Sequence, residues 1–172
     1  MRCRIRPGRQ GHTRSDRVKL AFEQDENDRA YRHYPLKENG KLMKISGKFD
    51  VELSPLETYA RGKDEINLGR MSIEKTFSGE LDASSQGEML TAMTPVKGSA
   101  GYVAIEQVSG SLSGKRGSFV LQHFGTMDQG SDRLVLEVVP GSGTGQLAGL
   151  AGKMAIRIEE AQHYYDFEFE LA

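Results

Sequence analysis

From Met43 onward, apolar side chains recur at every second residue, and this period is the strongest constraint on what the chain can form. Ile45, Gly47, Phe49, Val51 and Leu53 alternate with Ser46, Lys48, Asp50 and Glu52. Period two places successive side chains on opposite faces, so the run reads as a strand with one greasy face. Ser54-Pro55-Leu56 breaks it, and a loop is expected through Gly62-Lys63-Asp64. Met71, Ile73 and Phe77 alternate with Arg70, Ser72, Glu74 and Thr76 until Ser78-Gly79. A less clearly patterned third strand is expected over residues 87–94, closed by Pro95 and Gly98. Strands over 101–112 and 117–126 follow. Leu134, Leu136 and Val138 mark a sixth, ended by the glycine-rich run from Pro140 to Gly145.

Two hairpins can be registered from the pattern. With Gly114-Lys115 as a type II′ loop, Val108 faces Leu121, Gly110 faces Phe119 and Glu106 faces His123 on the apolar side. Gln107 with Gln122 and Ser111 with Ser118 form the polar side. With Ala161-Gln162 as the last loop, Ile158 faces Tyr165, Ile156 faces Phe167 and Met154 faces Phe169. Arg157 then meets Asp166 and Lys153 meets Glu170 on the opposite face, each pair contributing about 0.2–1 kcal/mol. The count comes to eight strands joined by short turns, with no helix. Consecutive hairpins imply an antiparallel meander, and closing it removes the aggregation-prone edges. The expected fold is therefore all-β, a closed eight-stranded antiparallel up-and-down β-barrel over residues 43–172. An open sandwich is the alternative.

Composition limits the functions open to such a barrel. The chain has 172 residues, enough for one domain without disulfide or metal staples. Lys plus Arg number 23 and Asp plus Glu 24, which argues against a nucleic-acid binder. The charge is uneven, because residues 1–42 are basic and the remainder acidic. That first segment lacks apolar periodicity and is expected to be a disordered basic leader, or a product of a start assigned too early, with Met43 the true start. An Arg-rich targeting peptide is weakened by Asp16, Glu23, Asp25, Glu26 and Asp28, and an RNA-binding arm is the sharper alternative. Cys3 is the single cysteine, so neither an internal disulfide nor a cysteine zinc site can form. No apolar run approaches the roughly 20 residues that span a bilayer, and no secretory core follows the basic start. The expectation is a cytoplasmic protein without membrane or nucleic-acid partners.

Three stretches carry a family likeness: Lys75 to Leu81, Gly110 to His123, and Val138 to Gly152. Together they resemble a bacterial family known only as domain of unknown function 3224, over about Met43 to Ala172. The resemblance implies an allene oxide cyclase-like, calycin-like closed barrel. It implies no catalytic residue, because the family has no established activity. Relatives by fold include a plant cyclase with a greasy cavity and dirigent-type proteins, an analogy of fold alone.

Within the expected register, Glu106 and His123 share the inward face, and Tyr102 lies two pairs along. A carboxylate beside an imidazole in low dielectric holds one tautomer and makes a usable acid/base pair, so these two are the candidate catalytic residues. The plainer reading is a buried pair that only satisfies itself. Lys75 is in phase with Met71, Ile73 and Phe77; it is either an amine activated by desolvation or a side chain that snorkels to the rim. Gly141 to Gly145 looks like a phosphate cradle but lacks the long helix and lysine one needs, and reads as a turn with a short helical twist plugging one barrel end. His12, His33, His123 and His163 lack metal-ligand spacing, so no metal or cofactor is expected. The leading expectation is a hydrophobic small molecule held in a lumen lined by Tyr102, Glu106, Val108, Phe119, Leu121, His123, Ile156, Ile158, Tyr165, Phe167 and Phe169. The rivals are an isomerase or cyclase working through Glu106 and His123, and a ligand-free oligomerisation module, with a homo-oligomer as the expected assembly.

Overall fold

The computed structural model describes residues 41–171, so all but the last two residues of the expected leader lie outside the described residues. Eight strands follow one another: β1 (Met43–Leu56), β2 (Asn67–Gly79), β3 (Leu81–Met93), β4 (Ala100–Leu112), β5 (Lys115–Asp128), β6 (Ser131–Val138), β7 (Ala151–Glu159) and β8 (Gln162–Glu170). Each pairs antiparallel with the next. β8 returns to β1 from Met43 opposite Phe169 to Phe49 opposite His163, which closes the barrel. The closed up-and-down barrel is the fold that the alternation implies.

β3 starts six residues earlier than its pattern suggests. Its first inward positions are Leu81, Ala83, Ser85 and Gly87, which are mostly small or polar and therefore carry no strong alternation. Both registered hairpins are also displaced. The β4–β5 turn is Ser113-Gly114, with φ of 47° and 78°, a type I′ geometry rather than type II′ at Gly114-Lys115. The β7–β8 turn is Glu160-Ala161, with φ of 49° and 66°. Moving a loop by one residue slides the pairing by two, so each side chain keeps its face but changes its neighbour. Val108 faces Phe119, Glu106 faces Leu121, and Ala104 faces His123; on the outer side Ser109 faces Ser118 and Gln107 faces Val120. Ile156 faces Tyr165, Met154 faces Phe167, and Ile158 faces His163. Lys153 meets Glu168 instead of Glu170, whereas Arg157 still reaches Asp166 diagonally, at 2.7 Å.

The interior is packed at one end, and toward the other, open end its inward side chains are progressively more exposed. At the filled end, the rings of Phe49 and Phe77 lie 5.4 Å apart, Phe119 and Phe167 5.9 Å, and Phe167 and Phe169 5.1 Å. The β6–β7 connection closes that end with the 3-10 turn Gly145–Leu147, which buries Leu147 and Leu150. The run resembling a phosphate cradle serves β5 instead. The Ser142 and Thr144 hydroxyls accept the Val120 and Ser118 N–H groups, and Thr144 N–H donates to the Ser118 carbonyl. These bonds continue the sheet where β6 stops, since β6 and β7 share only the Glu137–Lys153 pair.

Tyr165 fastens the tightest turn of this end. Its hydroxyl accepts the Leu81 N–H at 3.2 Å, just after Gly79-Glu80 reverse the chain. Gly47 makes this possible, because a methyl there would collide with the hydroxyl. Tyr165→Phe leaves the buried Leu81 N–H without its partner. It should cost about 1–2 kcal/mol, read as a lower urea midpoint at an unchanged slope; an unchanged midpoint would contradict this role.

Candidate functional site

Four polar side chains meet inside the barrel at mid-height. Lys75 on β2, Ser85 on β3, Glu106 on β4 and His123 on β5 are all buried. The stagger of a closed barrel aligns them. Lys75 is level with Ser85, and Glu106 and His123 each lie two residues off the direct partner, so the group follows a diagonal across four strands. Lys75 Nζ donates to Glu106 Oε1 at 2.7 Å, and Ser85 Oγ donates to Oε2 at 2.6 Å. His123 Nε2 lies 2.8 Å from Oε1. The Lys75 ammonium also rests 5.2 Å from the Phe49 ring centre and 5.9 Å from that of Phe77, so its remaining surface meets π faces.

Glu106 is ionised in this setting. Burial pushes its carboxyl upward, but the His123 hydrogen bond and the Lys75 charge outweigh that and bring it down to about 2. An ionised carboxylate only accepts, so His123 Nε2 carries the proton that points at it. Among the described residues His123 Nδ1 makes no hydrogen bond, and the side chain is buried. At neutral pH Glu106 is therefore an internal counterion and not a proton donor. The Tyr102 phenol is raised by burial and by the Glu106 charge, and its ring meets the His123 ring edge-on at 6.4 Å. Gly125 opposite leaves space for that ring, since a methyl there would strike it.

Above this layer the inward side chains become more exposed. Along β1, exposure of inward positions rises from buried Phe49 through half-buried Val51 to exposed Leu53. Along β7 it rises from buried Met154 through half-buried Ile156 to Ile158, which is 64% exposed. Met71, Met89, Tyr102, Leu134 and His163 are likewise half-buried. The residues expected to line one lumen therefore divide into three groups. Val108, Phe119, Leu121, Tyr165, Phe167 and Phe169 fill the closed end and pack on one another. Glu106 and His123 belong to the charged layer. Tyr102 and Ile156 line the open half, and Ile158 stands at its rim because β7 ends one residue later. Surface concavities of about 610 Å³ along Glu57–Leu68 and about 360 Å³ over Ser46–Lys48, Gly79 and Tyr164 include no residue of the layer.

Sequence reasoning kept Lys75 apart from Glu106 and missed Ser85. Lys75 neither stands free nor reaches the rim. The only signal was its phase with an apolar face; its partner lies across β3, where Gly87, opposite Glu106, removes a side chain that would crowd the carboxylate stem. Among the described residues there is no group of three or more His, Cys, Asp or Glu placed to hold a metal ion, and no helix is long and apolar enough to cross a membrane.

A closed eight-stranded barrel with a charged layer between a packed and an open half is the class that these features define. The family model described as "Protein of unknown function (DUF3224)" matches residues 45–169, and the chain belongs to that family. A crystal structure of a protein of unknown function from the same family, from Shewanella oneidensis MR-1, is 62% identical, covers 77% of this chain and 99% of its own, and superposes with a TM-score of 0.74. No curated protein matches.

The charged layer makes stability depend on pH. The folded Glu106 carboxyl lies below its ordinary 4.5, so its contribution is full above that value and is lost as the pH falls from 4.5 toward about 2. The gap is equivalent to about 3 kcal/mol. Urea unfolding should show this loss in the wild type. Glu106→Gln should remove that part of the pH dependence and cost about 3–5 kcal/mol at pH 7, because Lys75 is left buried and unpaired. A variant as stable as wild type at pH 7 would contradict the network.

Proposed function

We propose that the protein binds a small amphiphilic molecule in the open half of its barrel, with an apolar body along the wall and one polar group on the Lys75–Glu106–His123 layer. The exposure gradient along β1 and β7 carries this reading, because inward-facing Val51, Met71, Met89, Tyr102, Leu134 and Ile156 keep contact with solvent above a buried polar floor. Binding sites commonly combine an apolar lining with a few fixed polar groups. The packed aromatic end limits the ligand to about half the barrel's height. A cytoplasmic site of action is part of the same proposal.

The hydrogen bond between His123 Nε2 and Glu106, at 2.8 Å, favours a second reading, an isomerase-type enzyme. In that reading His123 moves the proton, while Glu106 fixes its tautomer and Lys75 steadies developing negative charge. Glu106 itself is too acidic to serve as the donor.

Native mass spectrometry of the protein purified from its own source tests the binding reading. The wild type should carry a retained small molecule, and Met89→Arg, which fills the open half, should lose it while unfolding at a similar temperature. Wild-type protein that arrives at its bare mass, or a Met89→Arg variant with the same adduct, would contradict it.

A further inference from the structure

The outer wall of the barrel is polar except in one quadrant. Along β1 the outward positions are Lys44, Ser46, Lys48, Asp50 and Glu52, as expected of a solvated face. Near the open end of β3 to β6 they are apolar. Leu90 pairs with Val103, Val103 with Phe124, and Phe124 with Val135, giving one continuous row across four strands. Ile105 extends it by one position along β4. Leu90 is 56% exposed, Val103 53% and Ile105 50%. These side chains sum to roughly 300–400 Å² of exposed apolar surface, within the range of the largest patch on a typical monomer, which is often functional.

We propose that this face is the interface with a second copy of the chain, related to the first by a two-fold axis along the Leu90–Val135 row. The face lies on β3 to β6, whose backbone groups pair with one another along the row, so a partner meets this surface through side chains. A standard interface takes about 800 Å² from each partner, somewhat over half of it nonpolar, and this patch supplies most of that nonpolar share. The flanking rows are complementary under this rotation. One row is Gly101, Thr126 and Arg133; the row on the other side is Ile105, Gln122 and Glu137. A two-fold axis between them turns each row onto the opposite row of the second copy. Ile105 then meets the partner's Gly101, a projecting side chain against a bare backbone, and Arg133 meets the partner's Glu137. Each contact occurs twice, as an isologous interface requires. Arg133 is already drawn over the patch, with its guanidinium 5.2 Å from the Phe124 ring centre. At the far end of the row the Arg70 charge is matched within the chain by Glu88, at 2.7 Å.

Sedimentation of the full chain across a concentration series tests the interface. The wild type should be a dimer. Val103→Glu should raise the dimer Kd by roughly 100-fold or more, because it buries an unpaired charge. Val103 is half exposed in the monomer, so the circular dichroism spectrum of the variant monomer should match wild type. Arg133→Glu should weaken the dimer, and Arg133→Glu combined with Glu137→Arg should restore it. A full chain that stays monomeric up to about millimolar concentration, where even weak association is visible, would overturn the proposal. So would a Val103→Glu dimer of wild-type strength. A monomer whose cross-links join residues 1–40 to Val103 and Ile105 would overturn it as well, and would assign the face to the chain's own N-terminal segment.

Discussion

One carboxylate organises the interior of this barrel. Glu106 accepts hydrogen bonds from an ammonium, an imidazole and a hydroxyl that reach it from three other strands. Charges removed from water are costly unless each is matched, and here the match is complete among the described residues. A network of this kind couples β2, β3, β4 and β5 more specifically than apolar contact can, since an apolar contact survives a small slip and a hydrogen bond at 2.6–2.8 Å does not. The layer also separates the two halves of the tube, with aromatic packing on one side and a solvent-touched apolar wall on the other.

Closure explains why the halves can differ. With β8 paired back to β1 and β6 joined to β7 by the single Glu137–Lys153 pair, the sheet closes and its inward positions form a single column of layers. One end is sealed by Leu147 and Leu150 on the β6–β7 connection, together with the Tyr165 fastening of the β2–β3 turn. The other end carries the β1–β2, β3–β4, β5–β6 and β7–β8 connections. The β3–β4 and β5–β6 connections touch through the Gly130 N–H and the Gly98 carbonyl, at 3.1 Å. Membership of a family whose function is not established adds no chemistry to this arrangement, so the functional reading rests on the layer and the opening above it.

Which face each strand buries was legible in the sequence, because alternation survives any even slip. Which residue meets which was not. Ser113-Gly114 and Glu160-Ala161 adopt left-handed backbone at both turn positions, yet only Gly114 among the four advertises that ability. The closed fold followed from strand count and hairpin spacing. The start of β3 stayed hidden because Ala83, Ser85 and Gly87 are small where their neighbours across the lumen are large. The Lys75–Glu106 contact was hidden more deeply. It spans 31 residues and an intervening strand, and it depends on barrel stagger, which no local pattern encodes. Glu106 and His123 could be placed together from parity alone, and they meet diagonally where direct opposition was expected.

The charged layer is central to this account, and the ionisation of Glu106 reports on it most directly. Carbon-13 NMR of the Glu106 side-chain carboxyl through an acid titration measures that state in the folded protein. The account predicts a carboxyl that stays ionised well below the ordinary glutamate range and titrates toward about 2. A midpoint at or above 4.5 would mean that Lys75 and His123 do not hold the carboxylate, and the layer described here would not exist.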